Sequence, residues 1–256
     1  MKKVANVLLG LVVPALIILV WWYVTTFTDT PSTILPGLGS VWARFRQMLS
    51  SGQLLTDLKI SLLRVLKGFL ISAVLGVTLG TLLGMSELAK KLLQPTLTTI
   101  RQIPIMAWIP LLILWFGIGE PSKTVVIIIA SFFPIMVNTQ AGISGTPLEY
   151  IEVARLYKLS SFKTFLRVYL PHALPNIRTG LRLGLGVSWM AVVAAELIAS
   201  TSGIGYSMSY ARTLMQSDVV IICMLVIGLV GIVMDKVVSL AFDAMTPWEK
   251  KIRERK

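Results

Sequence analysis

The chain has 256 residues, of which 55% are hydrophobic and only 14% are charged, whereas an ordinary soluble domain is nearer one quarter charged. The composition therefore excludes an ordinary soluble domain. The net charge is +12, and one cysteine, Cys223, excludes an intrachain disulfide. We expect Cys223 to be a small residue of the protein interior, because free cysteine behaves as a small hydrophobe.

Six apolar segments are long enough to cross about 30 Å of hydrocarbon, which requires about 20 helical residues. Only helices and closed barrels satisfy their backbone groups in lipid, and these segments are too long for barrel strands. The sequence predicts an all-α polytopic membrane protein with about six transmembrane helices. The predicted spans are about 4–24, 60–86, 92–118, 122–143, 177–199 and 218–241.

The distribution of the basic residues explains the net charge. If the N-terminus is cytoplasmic, six crossings return the C-terminus to the cytoplasm. The cytoplasmic side then holds more than twice as many Lys and Arg residues as the outer side, as the positive-inside rule requires. We therefore interpret the basic balance as membrane topology and predict no nucleic-acid partner.

The N-terminal part divides into a membrane helix and a polar connection. Residues 1–24 form a retained first helix, because the apolar run is too long for a signal peptide and no small-residue cleavage site follows. Residues 25–56 form an extracytoplasmic connection, within which 40–52 is predicted as a short surface helix. The main body is 57–245, and 246–256 is a basic cytoplasmic tail.

The second and third spans carry different signals. Gly76, Gly80 and Gly84 recur on one helix face, and small residues at this spacing let helices pack closely in lipid. The third span contains three prolines, Pro95, Pro104 and Pro110, each of which costs roughly 3 kcal/mol inside a helix. We expect that span to be broken.

A polar segment, 146–175, lies between the fourth and fifth spans. Thr146, Pro147 and Glu149 match a capping box with proline at the first helical position, which predicts a helix through Lys158. Ser160 predicts a second helix start, and Pro171 is expected to end that second helix. From the residues alone, this hairpin is either a packed cytoplasmic connector or a docking element for a cytoplasmic partner.

The segment resembles the cytoplasmic loop of ABC importer permeases, whose pattern is E-A-A, three residues, G, nine residues and then I-x-L-P. Here Glu152-Val153-Ala154 is followed by Lys158 and then by Val168-Tyr169-Leu170-Pro171 at the same spacing. Lys158 replaces the usual glycine, so we expect the bend to fall later, around Ser160. Stretches in 101–120, 180–198 and 203–212 resemble the nitrate/sulfonate/bicarbonate branch, and the resemblance extends over about 57–245.

The resemblance implies a type I ABC importer permease fold with a cytoplasmic coupling helix, in a bacterial inner membrane. It implies two permease copies, two ATPase subunits that bind ATP and Mg, and an extracytoplasmic binding protein, with no cofactor in this chain. The expected cargo is an aliphatic sulfonate or taurine, then nitrate, bicarbonate or a vitamin precursor. The implied ATPase-coupling residues are Glu149, Ile151, Glu152, Val153, Ala154, Arg155, Tyr157 and Lys158, supported by Val168, Leu170 and Pro171.

Four further residues are candidates for the translocation path. Arg101 either meets an oxyanion there or reaches the cytoplasmic headgroups with its long side chain. Glu196 is expected near the outer surface, in a structural hydrogen bond or gate contact rather than a substrate site. Trp108 and Trp189 either line the path or pack in the interior.

Three other classes of protein are compatible with the composition. A secondary transporter would normally show two related halves, and none is visible. A membrane-embedded enzyme should present clustered His, Asp or Glu, but the twelve acidic residues are scattered and His172 is the one histidine. A membrane anchor would need only one helix. We therefore predict no catalytic residues and no metal site.

Overall fold

The computed structural model describes the backbone of residues 2–245 and the side chains of residues 9–243. Within these bounds the chain forms helices and connections, without a strand. The basic tail 246–256 lies outside the described residues. The helices are α1 (Lys2–Phe27), α2 (Leu38–Ser50), α3 (Gln53–Met85), α4 (Glu87–Arg101), α5 (Ile105–Phe116), α6 (Glu120–Ser144), α7 (Leu148–Leu156), α8 (Ser161–Thr164), α9 (Leu170–Ala199), α10 (Ile204–Thr213) and α11 (Ser217–Met245), with a π-helical turn at Phe165–Tyr169 between α8 and α9.

The predicted number of membrane crossings agrees with the helices. Five helical segments are long and apolar enough to cross a membrane, and α4 and α5 together supply a sixth if they form one span. These two helices meet at an angle of 96°. Whether the pair crosses the membrane or turns back within it depends on how α3 and α6 are oriented.

Helices α3 and α6 run parallel. Gly68 of α3 lies against Ile127 of α6, and Gly84 lies against Ile143, so both helices advance in the same direction. Their N-termini therefore lie at the same end of the bundle, and the intervening α4–α5 pair must return the chain across the membrane. The pair is a broken span, as the sequence predicts.

The glycines of α3 allow this close approach. A Cβ atom on Gly76 would lie 2.9 Å from Ile135, and one on Gly80 would lie 2.5 Å from the carbonyl oxygen of Met136. Both distances are shorter than any ordinary carbon contact, so only glycine fits without a shift of the helices. Because lipid supplies no hydrophobic drive for association, such backbone proximity is what holds α3 on α6.

The broken span is interrupted at only one of its three prolines. Pro95 lies inside α4 and Pro110 inside α5, so neither of these two prolines breaks the span. The chain leaves helical geometry between α4 and α5, where Pro104 precedes the first residue of α5. A proline disfavours helical conformation in the residue before it, which explains why the break lies at Gln102–Ile103.

The predicted end of a helix at Pro171 is also wrong. Residues Ser161–Ala199 form one continuous helical segment of 39 residues, which is about 58 Å long at 1.5 Å per residue. The π-helical turn at Phe165–Tyr169 directly precedes Pro171. A wider turn alters the local hydrogen-bond pattern, and the helix continues through the proline instead of ending there.

The other helices pack around the α3–α6 pair. Helix α9 packs antiparallel to α11, since Trp189 Nε1 donates to the carbonyl oxygen of Ile227 at 2.9 Å and Arg182 pairs with Asp235 further along. Cys223 is fully buried in this region, as predicted. The predicted surface helix exists as α2, and Arg44 of α2 contacts Asp218 at the start of α11 at 3.1 Å.

Candidate functional site

The first functional feature is the hairpin of α7 and α8, which projects beyond the end of α6. Gly142, near the end of α6, packs against Ala173 and Asn176. Residues 161–172 therefore extend beyond α6 by about 15 Å at 1.5 Å per residue. The hairpin is joined to α9 without an intervening loop. A displacement of the hairpin is consequently applied to one end of a membrane-spanning helix.

The start of α7 differs from the prediction. Pro147 takes the N-cap position with no side-chain hydrogen bond, and Thr146 Oγ1 is buried without a hydrogen-bond partner among the described residues. The predicted capping box is therefore wrong. In contrast, Ser160 caps the second helix as predicted, since its side chain accepts a hydrogen bond from the Lys163 backbone N–H at 3.4 Å.

The bend between the two helices lies at Lys158. This residue adopts a left-handed conformation with φ of 50°. The Lys158 N–H donates to the Arg155 carbonyl, and the Leu159 N–H donates to the Ala154 carbonyl, which together form a Schellman motif. The expectation that the bend would fall around Ser160 is wrong, because the hydrogen bonds that end the helix impose the left-handed residue whatever its side chain.

Most of the proposed coupling residues are accessible. Ala154 is the exception: it is only 3% exposed, so its side chain is not accessible to a partner in this conformation. Ile151 is partly buried. The proposed coupling residues that are exposed are Glu149, Glu152, Val153, Arg155, Tyr157 and Lys158.

The hairpin also carries several exposed apolar side chains, whose exposure the sequence did not indicate. Leu156 is 81% exposed and Tyr157 is 78% exposed, and Leu148, Tyr150 and Phe162 are exposed beside them. The signal for this surface is the excess of apolar residues in a polar segment. The supporting residues Val168 and Leu170 are partly buried, and Pro171 is exposed at the start of α9.

The second feature is a buried ion network at the opposite end of the bundle. Glu196 is 1% exposed and receives hydrogen bonds from Ser61 at 2.8 Å, Arg64 at 2.6 Å and the Gly205 backbone N–H at 3.0 Å. The predicted structural role of Glu196 agrees with this geometry. Sequence reasoning missed its partner Arg64, because nothing in the local pattern of α3 indicates which way that residue faces.

Arg64 joins this carboxylate to the start of α6. Its guanidinium contacts Glu120 at 2.5 Å and the carbonyl oxygen of Ser202 at 2.7 Å. Lys123, which is 4% exposed, donates to the same Glu120 at 3.1 Å. The four charges balance, and the network connects α3, α6 and α9 with the loop that precedes α10. Gly203 has φ of 104° and leaves no space for a Cβ beside Glu196.

The other path candidates occupy different environments. Trp189 is 4% exposed and bonded to α11, which favours packing over a path-lining role. Trp108 is partly buried, and its Nε1 atom lacks a hydrogen-bond partner within residues 9–243. Arg101 is exposed at the last residue of α4, next to the break. Over the described residues, no group of three or more His, Cys, Asp or Glu side chains is arranged to hold a metal ion.

The chain is similar in sequence to several transport permeases. The chain is 36% identical to an ABC transporter permease protein of Methanocaldococcus jannaschii over 97% of this chain and 94% of that protein. It is 38% identical to the SsuC protein of Bacillus subtilis, named as an aliphatic sulfonates transport permease, over 93% and 87% respectively. It is 37% identical to the nitrate import permease protein NrtB of Synechocystis over 75% and 70%.

The fold has a solved counterpart in an inward-facing structure of the MetNI methionine ABC transporter. The TM-score is 0.57 at 18% identity, covering 70% of this chain and 92% of the matched chain. Residues 72–251 match the family described as the binding-protein-dependent transport system inner membrane component. The chain therefore belongs to this family of transport permeases and has the fold of a type I ABC importer permease.

Proposed function

We propose that the chain is the membrane-spanning subunit of an ATP-driven importer that moves a small anionic solute into the cytoplasm by alternating access. The solute we favour is an aliphatic sulfonate or taurine. The support is the likeness to a protein named as a sulfonate permease over 93% of this chain. Nitrate is the second candidate, because relatives named as nitrate permeases are similar over 75% of the chain.

The observation that carries the mechanism is the projecting hairpin with its apolar surface. Leu156 and Tyr157 are 81% and 78% exposed at the end of α7, and the second helix of the hairpin is continuous, through the π-helical turn, with α9. Large exposed apolar patches outside the lipid mark protein interaction sites. In the proposed complex, two ATPase subunits with bound ATP and Mg dock on the hairpins of two permease copies. Their closure moves α9, and differential contacts in the two states supply the coupling.

The proposed orientation places both termini and the hairpin in the cytoplasm. The hairpin end carries the exposed basic residues Arg155, Lys158, Lys163 and Arg167, in agreement with the positive-inside rule. The opposite end, with α2, α10 and the ion network, then faces the extracytoplasmic binding protein. The helical surfaces that remain exposed face lipid or the second permease copy.

The coupling proposal is tested with Leu156→Ser and a matched control, Ile34→Ser. Both residues are highly exposed, at 81% and 70%, but Ile34 lies at the opposite end of the bundle. Loss of a buried leucine contact costs about 2 kcal/mol, which is a roughly 30-fold loss of affinity. We expect Leu156→Ser to lose the co-purifying ATPase and uptake at normal membrane abundance, whereas Ile34→Ser keeps both. Equal behaviour of the two variants would contradict docking at the hairpin.

The cargo is tested by uptake of radiolabelled taurine in cells that express the permease with its ATPase and binding protein. Competition with unlabelled alkanesulfonates should abolish the signal, and a ten-fold excess of nitrate should not. Competition by nitrate alone would transfer the assignment to the second candidate. Uptake that follows an ion gradient and continues without ATP would overturn the importer proposal itself.

A further inference from the structure

We propose that the guanidinium of Arg101 lines a water-filled path at mid-depth in the membrane, on the surface that a second copy of the chain covers, and binds the oxyanion group of the solute there. This inference rests on the proposed function, in which two permease copies form the pathway. It is carried by the depth and the exposure of Arg101 and by the lack of an ion-pair partner for it among residues 9–243.

The depth of Arg101 follows from the contacts of α4. The side chain of Gln94 bonds to that of Gln140 on α6 at 3.2 Å, four residues before the end of α6. Ile100 belongs to an apolar cluster that extends from Leu83 of α3 and Ala89 of α4 into the middle of α6. Arg101 is seven residues beyond Gln94, so it lies up to about 16 Å from the hairpin end of α6 at 1.5 Å per residue. Arg101 is therefore near the middle of the hydrocarbon layer.

At this depth the charge cannot face lipid. Arg101 is exposed in the single chain, and no carboxylate among the described side chains lies within ion-pair distance of it. An arginine side chain extends about 6–7 Å, which is too short to reach the headgroups from the centre of a layer about 30 Å thick. Charged residues inside membrane spans face the bundle interior or a water-filled cavity.

The non-helical backbone next to Arg101 must also be shielded from lipid. The chain breaks at Gln102–Pro104, where α4 and α5 meet at 96°. Backbone outside a helix is tolerated at membrane depth only where it is buried in protein or lines water. Residues 101–104 are all exposed in the single chain, so another chain must cover them. A second copy would present its own Arg101 to the same enclosed space.

The chemistry of the side chain defines the ligand. A guanidinium is always charged and presents a planar set of donors that matches two oxygens of a sulfonate, nitrate or carboxylate. With no carboxylate neighbour to neutralise it within the described part of the chain, Arg101 imposes a positive potential on the path. An inorganic or organic oxyanion is consequently attracted to Arg101 without further binding residues around it.

The test uses thiol labelling, which does not require the cargo to be known. Thr98 is exposed on the same face of α4, one turn before Arg101, so Thr98→Cys places a probe about 5–6 Å from it. The single native cysteine, Cys223, is fully buried and gives the background. Val74→Cys is the depth-matched control, because Val74 is 67% exposed on α3 near the level of the Gly76–Ile135 contact.

Membrane vesicles of the full complex are treated on both faces with an anionic and a cationic methanethiosulfonate reagent. We expect Thr98→Cys to react at least about ten-fold faster than Val74→Cys, because the water-soluble reagents cannot enter lipid. A unit charge about 6 Å away changes the local concentration of a monovalent ion roughly ten-fold at an effective dielectric constant of about 40. The anionic-to-cationic rate ratio should therefore fall at least about ten-fold when Arg101→Gln is added, and should be retained with Arg101→Lys.

Two results would overturn the proposal. If Thr98→Cys is as unreactive as Val74→Cys, this surface faces lipid or dry protein. If it reacts but the rate ratio is unchanged by Arg101→Gln, the guanidinium does not act on the path. Arg101→Lys is the control for misfolding. It keeps the positive charge, so it should keep the anionic-to-cationic rate ratio if the complex is correctly assembled. A failure to import taurine would contradict the cargo assignment and leave both labelling results interpretable.

Discussion

The ion network at the end of the bundle opposite the hairpin should contribute strongly to stability, and Arg64→Met tests this. The variant keeps most of the side-chain volume and removes the charge. Glu196, whose side chain is fully buried, would then lose its cationic partner and keep only the hydrogen bonds from Ser61 and the Gly205 backbone N–H. Removing one partner of a buried ion pair costs about 3–5 kcal/mol, because the other charge stays desolvated and uncompensated.

The measurement is the thermal unfolding midpoint of the purified protein in mild detergent. For a chain of this size, 1 kcal/mol corresponds to roughly 2–4 °C, so we expect Arg64→Met to lower the midpoint by about 6–20 °C. The control is Lys90→Met, which removes a pair whose side chains are 40% and 78% exposed. An exposed pair contributes under about 1 kcal/mol, and the midpoint of the control should move by no more than about 4 °C.

A second variant separates the loss of the charge pair from the loss of packing. Arg64→Met combined with Glu196→Gln removes the uncompensated charge but keeps an oxygen acceptor for Ser61 and Gly205. We expect the double variant to recover at least about half of the lost stability, since replacing a buried pair by neutral residues is often close to neutral. The reasoning is refuted if Arg64→Met unfolds within 2 °C of Lys90→Met, or if the double variant is less stable than Arg64→Met.

Two further predictions concern the backbone. Lys158→Gly should stabilise the hairpin by about 1 kcal/mol, because glycine adopts the left-handed conformation without the cost that a side chain adds. Slower proteolytic cleavage in the hairpin would show it, and faster cleavage would contradict the assigned bend. Gly80→Ala should lower the unfolding midpoint, since its Cβ would lie 2.5 Å from the Met136 carbonyl oxygen. Gly228→Ala, with nothing within 4 Å, should be neutral or slightly stabilising, and equal losses in both would refute the packing argument.

Local physics explains which features were predictable from the chain. A membrane span is a sum of side-chain hydrophobicities over about 20 residues, so six spans could be counted without knowing how they pack. The glycine repeat from Gly76 to Gly84 marks a contact face because helical spacing places these residues in one row. The apolar excess in 146–175 likewise showed that the hairpin is not a freely solvated loop, although it did not indicate which of its residues are exposed.

Other features depend on partners that are distant in sequence. Arg64 and Glu196 are 132 residues apart, and only the rotation of α3 against α9 brings them together. Pro95 and Pro104 have the same intrinsic effect on a helix, yet only the second coincides with a break, so the type of residue alone does not locate the break. The sequence by itself predicted the number of membrane spans and the polar segment that forms the hairpin, because both follow from residue types summed along the chain. The tertiary structure decided that Arg64 pairs with Glu120 and Glu196 and that Arg101 has no ion-pair partner within the described residues, because a charge is paired by its neighbours in space and not by its neighbours along the chain.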